Sequence, residues 1–153
     1  MKRFIKYFLC LLISLCVFAG TGCGFDVFGS GSGTAADAPL IIRMLDIGQG
    51  DAILIERNGK FALIDTGDVE HRPRMAEYLR KYGVKKVDTV IITHPHGDHI
   101  GGMFSVFANA EIRQVYDNGV PTSLSTYKTY RKILDKRNLN QHYGIHTGTT
   151  IIL

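Results

Sequence analysis

Cysteine is scarce in this chain of 153 residues, which contains three. Cys10 and Cys16 lie inside an apolar N-terminal run, and we expect them to be removed with it. Only Cys23 would then remain, so the mature protein can form no internal disulfide. The scarcity excludes both a disulfide framework and a site built on several thiolates.

An excess of charge of one sign is also lacking once the N-terminus is set aside. The formal net charge is +4, but Lys2, Arg3 and Lys6 carry most of it, and the other 15 Lys and Arg face 14 Asp and Glu. The chain therefore has no global electrostatic footprint for nucleic acid. Two local basic stretches, within 72–86 and 128–137, could steer a phosphate backbone, although such runs are more often the solvated face of a helix.

No apolar run is long enough to cross a bilayer comfortably, since the longest, about 7–19, falls short of roughly 18 residues. Basic residues before it and small residues after it predict a signal peptide over 1–22. Gly22-Cys23 resembles the end of a bacterial lipobox, which implies that Cys23 is lipidated and anchors the protein to the extracytoplasmic face of the cell membrane. Gly20 stands where that motif usually has Leu, so ordinary secretion after cleavage near Ala19, or an uncleaved anchor helix, stays open.

After Cys23, residues 24–39 are rich in Gly, Ser and Ala, which predicts a flexible linker and places the folded domain at 40–153. Alternating apolar residues and turn signals predict strands followed by mixed helices and strands. The order favours one layered half of an α/β sandwich. The expected strands cover 40–47, 52–57, 61–64, 87–92, 113–116 and 149–153, and the expected helices cover 74–82, 101–110 and 124–139.

The most informative stretch, 93–102, reads Thr-His-Pro-His-Gly-Asp-His-Ile-Gly-Gly and follows an apolar strand. Imidazole nitrogens and carboxylates are ligands that zinc, iron and manganese accept. Side chains two apart in extended chain point the same way, so His94 and His96 can face one ion. Gly97 permits a turn that brings Asp98 and His99 toward a second. The alternatives are a His-rich surface loop and a lone structural zinc site.

The pattern His-x-His-x-Asp-His resembles the signature of the metallo-β-lactamase superfamily. The resemblance implies that His94 and His96 bind one metal ion and that Asp98 and His99 bind a second. It also implies an αββα sandwich and two divalent ions, zinc above all, with manganese or iron as alternatives.

Two further strings narrow the resemblance. Asp65, in Leu-Ile-Asp-Thr-Gly, ends an apolar strand and matches the first motif of the superfamily, where a carboxylate supports the metal ligands; a plain turn is the alternative. With the string 45–52, these motifs resemble the metallo-hydrolase domain of ComEC-type competence proteins and its secreted relatives. That resemblance implies DNA or another phosphodiester as the partner. For Gly48 to Asp51, a role in shaping the site and a plain strand connection stay equally open.

Members of that superfamily continue further and supply a third His, a bridging Asp and a last His. No residue after His99 is expected to fill these roles, so the domain looks like the N-terminal half of the fold, incomplete at its C-terminus. His142 and His146 are expected to be exposed loop residues that are not metal ligands, and His71 is likewise unremarkable.

The implied activity is hydrolysis by a metal-activated hydroxide, with Asp98 as the catalytic residue that ligates a metal and orients the nucleophile. Hydrolysis of a β-lactam or lactone, a non-catalytic binding module, and an inert fragment are the alternatives, and no oligomeric state is predicted.

Overall fold

A computed structural model describes residues 38–153 of the chain. The predicted signal peptide, Cys23 and the linker up to residue 37 lie outside the described residues. The strands are β1 (Ile41–Met44), β2 (Ile53–Arg57), β3 (Lys60–Ile64), β4 (Lys86–Val87), β5 (Thr89–Ile92), β6 (Glu111–Ile112), β7 (Gln114–Asp117) and β8 (Asn140–His142). The helices are α1 (Arg72–Lys81), α2 (Gly97–Ile100), α3 (Met103–Asn109) and α4 (Ser125–Arg137).

Six strands form one sheet in the order β1-β2-β3-β5-β7-β8, while β4 and β6 form a small second sheet. Strands β1 to β3 pair antiparallel, and β3, β5, β7 and β8 pair parallel. Parallel neighbours require crossover connections, which the helices provide. The α/β class expected from the sequence is confirmed.

The hairpin between β2 and β3 turns at Asn58 and Gly59, which have φ of 53° and 72°. Positive φ at both positions is the mark of the tight turn that Asn-Gly favours. It sets a register in which Leu54 pairs with Leu63, which pairs with Val90 on β5. These residues are at most 1% exposed and form the floor of the core.

The helices cover this floor with apolar side chains. Helix α1 begins with a proline in its first turn, ends before Gly83 (φ 67°), and buries Met75 and Leu79. Helix α4 buries Tyr130 and Leu134 and ends at Asn138 in the left-handed conformation. On the opposite face of the sheet, Ile42 and Met44 of β1 are 58% and 72% exposed.

The structure corrects three expectations about the strands. The run 87–92 is two strands, because Asp88 separates β4 from β5; its backbone N–H donates to the Phe61 carbonyl and its Oδ2 accepts from the Phe61 N–H. Residues 149–153 are not a strand. The final strand of the sheet is instead β8, so His142 is exposed as expected but belongs to a strand rather than a loop.

Several cations of the two basic stretches have structural partners. Arg72 donates from Nε to the Gly101 carbonyl at 2.8 Å, Arg74 pairs with Asp46 at 3.0 Å, and Arg131 lies 3.6 Å from Asp117. Three lysines of α4 remain exposed: Lys128, Lys132 and Lys136. Within residues 38–153, no helix combines the length and apolarity needed to cross a membrane.

Candidate metal centre

Three parallel strands of the large sheet, β3, β5 and β7, have their carboxyl ends side by side. A polar residue ends or follows each of them. Asp65 follows β3, Thr93 follows β5, and Asp117 ends β7. The register pairs Ile64 with Ile91 and Ile92 with Asp117. Carboxyl ends of parallel strands are where α/β folds commonly bind ligands, and the His-rich motif begins here.

Asp65 links two strands to the motif. Its φ of 53° is unusual for a residue other than glycine, and its side chain is 2% exposed. Oδ1 accepts from the Thr93 N–H at 2.9 Å, and Oδ2 accepts from the Thr93 hydroxyl at 2.6 Å. Oδ2 also lies 2.8 Å from Nδ1 of His99. The strained backbone therefore turns a buried carboxylate toward the loop and one imidazole.

The three imidazoles of the motif lie together. The ring centroids of His94 and His96 are 4.6 Å apart, and those of His94 and His99 are 3.9 Å apart. Oδ2 of Asp98 lies 3.8 Å from Nε2 of His99. Because Asp65 takes the Nδ1 side of His99, the Nε2 side is the one directed at Asp98. The four predicted metal ligands are thus neighbours in space as well as in sequence.

Backbone contacts fix this motif against the turn after β3. The His99 carbonyl accepts from both the N–H and the hydroxyl of Thr66, at 2.8 Å each. The Gly102 N–H donates to the Gly67 carbonyl at 3.0 Å. A Cβ on Gly102 would lie 1.9 Å from the Thr66 carbonyl oxygen, so this approach requires glycine.

The connection 48–51 packs directly on the motif. Gly50 has φ of 109°, and a Cβ there would lie 2.1 Å from the Asp98 carbonyl oxygen. The Asp51 carbonyl accepts from the Gly67 N–H at 2.9 Å. Of the two interpretations left open by the sequence, the structure favours the one in which this connection shapes the site.

His71 is not the unremarkable residue that the sequence suggested. Its Nδ1 and its backbone N–H both lie 2.8 Å from Oδ1 of Asp68. A Cβ on Gly48 would fall 2.3–2.8 Å from three atoms of the His71 ring. Burial acts to raise the pKa of Asp68, but the hydrogen bonds from His71 outweigh this effect, and the pKa is lowered. No sequence spacing signals this contact, since it joins a loop to the start of a helix.

Asp117 is a second buried carboxylate at the carboxyl ends of these strands, and the sequence analysis missed it. Its Oδ1 accepts from the Gly119 N–H at 2.8 Å, while the Tyr130 hydroxyl and Arg131 approach its Oδ2 at 3.4 Å and 3.6 Å. Burial raises the pKa of Asp117, although the Gly119 N–H and the Arg131 charge act to lower it. Its position at the end of a buried strand, as for Asp65, was the available signal.

The donor set of the motif fits a divalent cation in its chemistry: three imidazoles, one carboxylate, and a buried carboxylate that fixes the orientation of one ring. In the part of the chain that the structure describes, however, no three His, Cys, Asp or Glu side chains form a group arranged to hold a metal ion. The assignment of His94, His96, Asp98 and His99 as ligands, and of Asp65 as their support, stays a prediction.

Comparison with known proteins decides the family, because residues 45–126 match the model of the metallo-beta-lactamase superfamily. The chain belongs to that superfamily. Its members typically bind divalent metals, commonly zinc, and the superfamily is in general hydrolytic. Together with the α/β architecture, the match confirms the resemblance seen in the motifs.

Curated relatives in this superfamily include Recombination protein 2 of Haemophilus influenzae, which is 38% identical over 79 residues, or 46% of this chain and 10% of that protein. Ribonuclease Z of Bradyrhizobium diazoefficiens is 34% identical over 86 residues, covering 56% of this chain and 26% of the relative. A diphosphatase of the PhnP family, among solved structures, is 23% identical with a TM-score of 0.41, over 67% of this chain and 39% of that one. The chain spans between about a tenth and a third of the length of the curated relatives it matches.

Proposed function

We propose that this protein is a metal-dependent hydrolase of phosphodiester bonds in DNA, RNA or a nucleotide, acting outside the cell. The observation that carries the proposal is the contact between Asp65 and His99, which orients one imidazole of a three-histidine cluster. Such carboxylate–imidazole pairs are typical partners of metal-binding histidines. The similarity to relatives named ribonuclease Z supports a phosphodiester as the substrate.

In this proposal His94 and His96 hold one divalent ion, and Asp98 and His99 hold a second. Zinc is the preferred metal, with manganese or iron as alternatives. When bound, such ions provide a nucleophile near neutral pH, since they lower the pKa of coordinated water to about 7. Asp65 holds Nδ1 of His99 in a hydrogen bond, so that Nε2 is the atom left to coordinate the metal. The Asp98 carboxylate orients the nucleophile.

The proposal places the domain on the extracytoplasmic face of the membrane, anchored by a lipid on Cys23. Secretion without an anchor is the alternative. Radiolabelled palmitate fed to the producing cells tests this directly: the chain should take up label, and a Cys23→Ala variant should not. An equally labelled variant would refute the anchor without touching the proposed chemistry.

The activity is tested with bis-p-nitrophenyl phosphate and single-stranded DNA on the zinc-loaded full chain. We expect hydrolysis that chelation abolishes and that a His94→Ala/His96→Ala variant lacks. His146→Ala is the matched control, because His146 lies in an exposed loop and bonds only to Thr147 and Thr149 in the described chain. Turnover of a chromogenic β-lactam without turnover of either phosphodiester would replace the substrate class, and no turnover of any substrate would refute the activity.

A further inference from the structure

The connection 48–51 is held between two groups that lie far apart in the sequence. The His71 ring lies against Gly48, where a Cβ would be 2.3 Å from Cε1. The Asp98 backbone lies against Gly50, where a Cβ would be 2.1 Å from the carbonyl oxygen. Both glycines have positive φ, of 76° and 109°. The short segment 48–51 therefore contacts the His71 ring at one glycine and the Asp98 backbone at the other.

Asp98 depends on its backbone for its position. In the described part of the chain, the polar neighbour of its carboxylate is Nε2 of His99 at 3.8 Å, beyond hydrogen-bond distance. The side chain is 38% exposed, so core packing does not hold it either. The part of Asp98 that the structure shows to be held is therefore its peptide, on which Gly50 packs.

The His71 ring is held in its place by Asp68. The Asp68 carboxylate accepts a hydrogen bond from the His71 backbone N–H and lies 2.8 Å from Nδ1 of its ring. Asp68 therefore fixes both the backbone and the ring of His71. The His71 side chain is 31% exposed and lies outside the buried apolar cluster. Its surroundings carry further charges, from Glu70, Arg74, Glu77 and Arg80, of which Arg74 binds Asp46. The ring thus has little to contribute to the core, and its contacts are with the Asp68 carboxylate and with Gly48.

We propose that His71 is a positioning residue for Asp98, acting through the glycine connection, with Asp68 holding its ring. The proposal rests on the proposed function in one respect, that Asp98 serves the metal centre. Removal of the ring leaves Gly48 without support and loosens the Gly50–Asp98 contact. The expected consequence is local: helix α2, which carries Asp98 and His99, opens more often while the sheet keeps its stability.

Hydrogen exchange of backbone amides on the metal-free full chain tests the local effect. His71→Ala should speed exchange at His99 and Ile100, whose N–H groups donate to the His96 carbonyl, about fivefold to tenfold, as expected for a contact-coupled site. Amides of β2 and β3 should be unchanged, and His146→Ala should change neither group. Unchanged exchange in α2, or equal acceleration in β2 and β3, would overturn the proposal.

A double-mutant cycle on zinc affinity tests the link to Asp98 itself. His71→Ala should weaken zinc binding about fivefold in the wild-type background and leave it unchanged when Asp98→Ala is already present. An equal loss in both backgrounds would contradict positioning through Asp98. If zinc does not bind the wild type, the exchange experiment decides alone. Coupling without phosphodiester hydrolysis would refute the proposed function and leave the positioning role standing.

Discussion

Nδ1 of His99 lies 2.8 Å from Oδ2 of Asp65, although 34 positions separate the two residues. The same carboxylate holds the N–H and the hydroxyl of Thr93, the residue that precedes the first histidine of the motif. A single buried group therefore fixes both the start and the end of the metal-binding loop. Because β3 and β5 are parallel neighbours, this arrangement follows from the order of strands in the sheet.

Asp65→Ala should destabilise the metal-free protein by about 2–4 kcal/mol, because it leaves the Thr93 groups and the His99 ring without their buried partner. Urea unfolding followed by circular dichroism measures the loss. Asp46→Ala is the matched control: that side chain is 78% exposed, so its pair with Arg74 should contribute less than about 1 kcal/mol. Equal losses in the two variants would contradict the bracing role of Asp65.

Two glycines of the motif should respond in opposite ways to alanine. Gly102→Ala places a Cβ 1.9 Å from the Thr66 carbonyl oxygen and should destabilise the fold by about 2–4 kcal/mol. Gly97→Ala meets nothing within 4 Å and lies in a helix without positive φ, so it should be neutral or stabilise by up to about 1 kcal/mol. Thermal unfolding of both variants, without metal, gives the comparison. A Gly102 variant as stable as the Gly97 variant would show that the close approach is not needed.

Asp117 should make stability depend on pH with a sign opposite to that of an ordinary ion-paired carboxylate. Burial raises the pKa of Asp117 above 3.8 in the folded chain, so folding favours the neutral carboxyl. The stability that this group contributes is therefore present below the unfolded pKa and is lost as pH rises through the folded pKa. The free energy of unfolding of the wild type minus that of Asp117→Asn should therefore fall as pH rises above about 4.

The control for this measurement is Asp135→Asn, which removes a mostly exposed carboxylate 3.9 Å from the same guanidinium of Arg131. Its difference from the wild type should vary less with pH, since the group is little desolvated. A difference for Asp117→Asn that grows with pH would show that its ion pair with Arg131 outweighs its burial.

Local signals predicted those parts of the fold that local physics determines. Asn58-Gly59 predicted a hairpin, and the spacing of Met75 and Leu79 predicted a helical face, as observed. The strand break at Asp88 was not predictable from its apolar neighbours, because it depends on Phe61 across the sheet. Strand β8 is polar, Asn-Gln-His, and pairs with β7, whereas residues 149–153 pair with no strand in the described part of the chain.

The candidate site was predicted where the ligands are contiguous and missed where tertiary contacts create it. The cluster from His94 to His99 can be recognised in the sequence as a candidate metal site because four possible ligands lie within one short stretch. His71 and Gly48 meet only through the tertiary fold, and the sequence carries no periodicity that reports this contact. Asp117 carries no specific sequence signal, because a lone Asp at a strand end is also typical of many turns.

The metal centre is tested by the metal content of the purified full chain, measured by elemental analysis after zinc loading and gel filtration. We expect two equivalents of divalent metal per chain in the wild type and in His146→Ala, and at least one equivalent fewer in His94→Ala/His96→Ala, since these two histidines hold one of the two proposed ions. Metal in the wild type no greater than in the double variant would contradict the claim that the cluster of His94, His96, Asp98 and His99 is a metal centre.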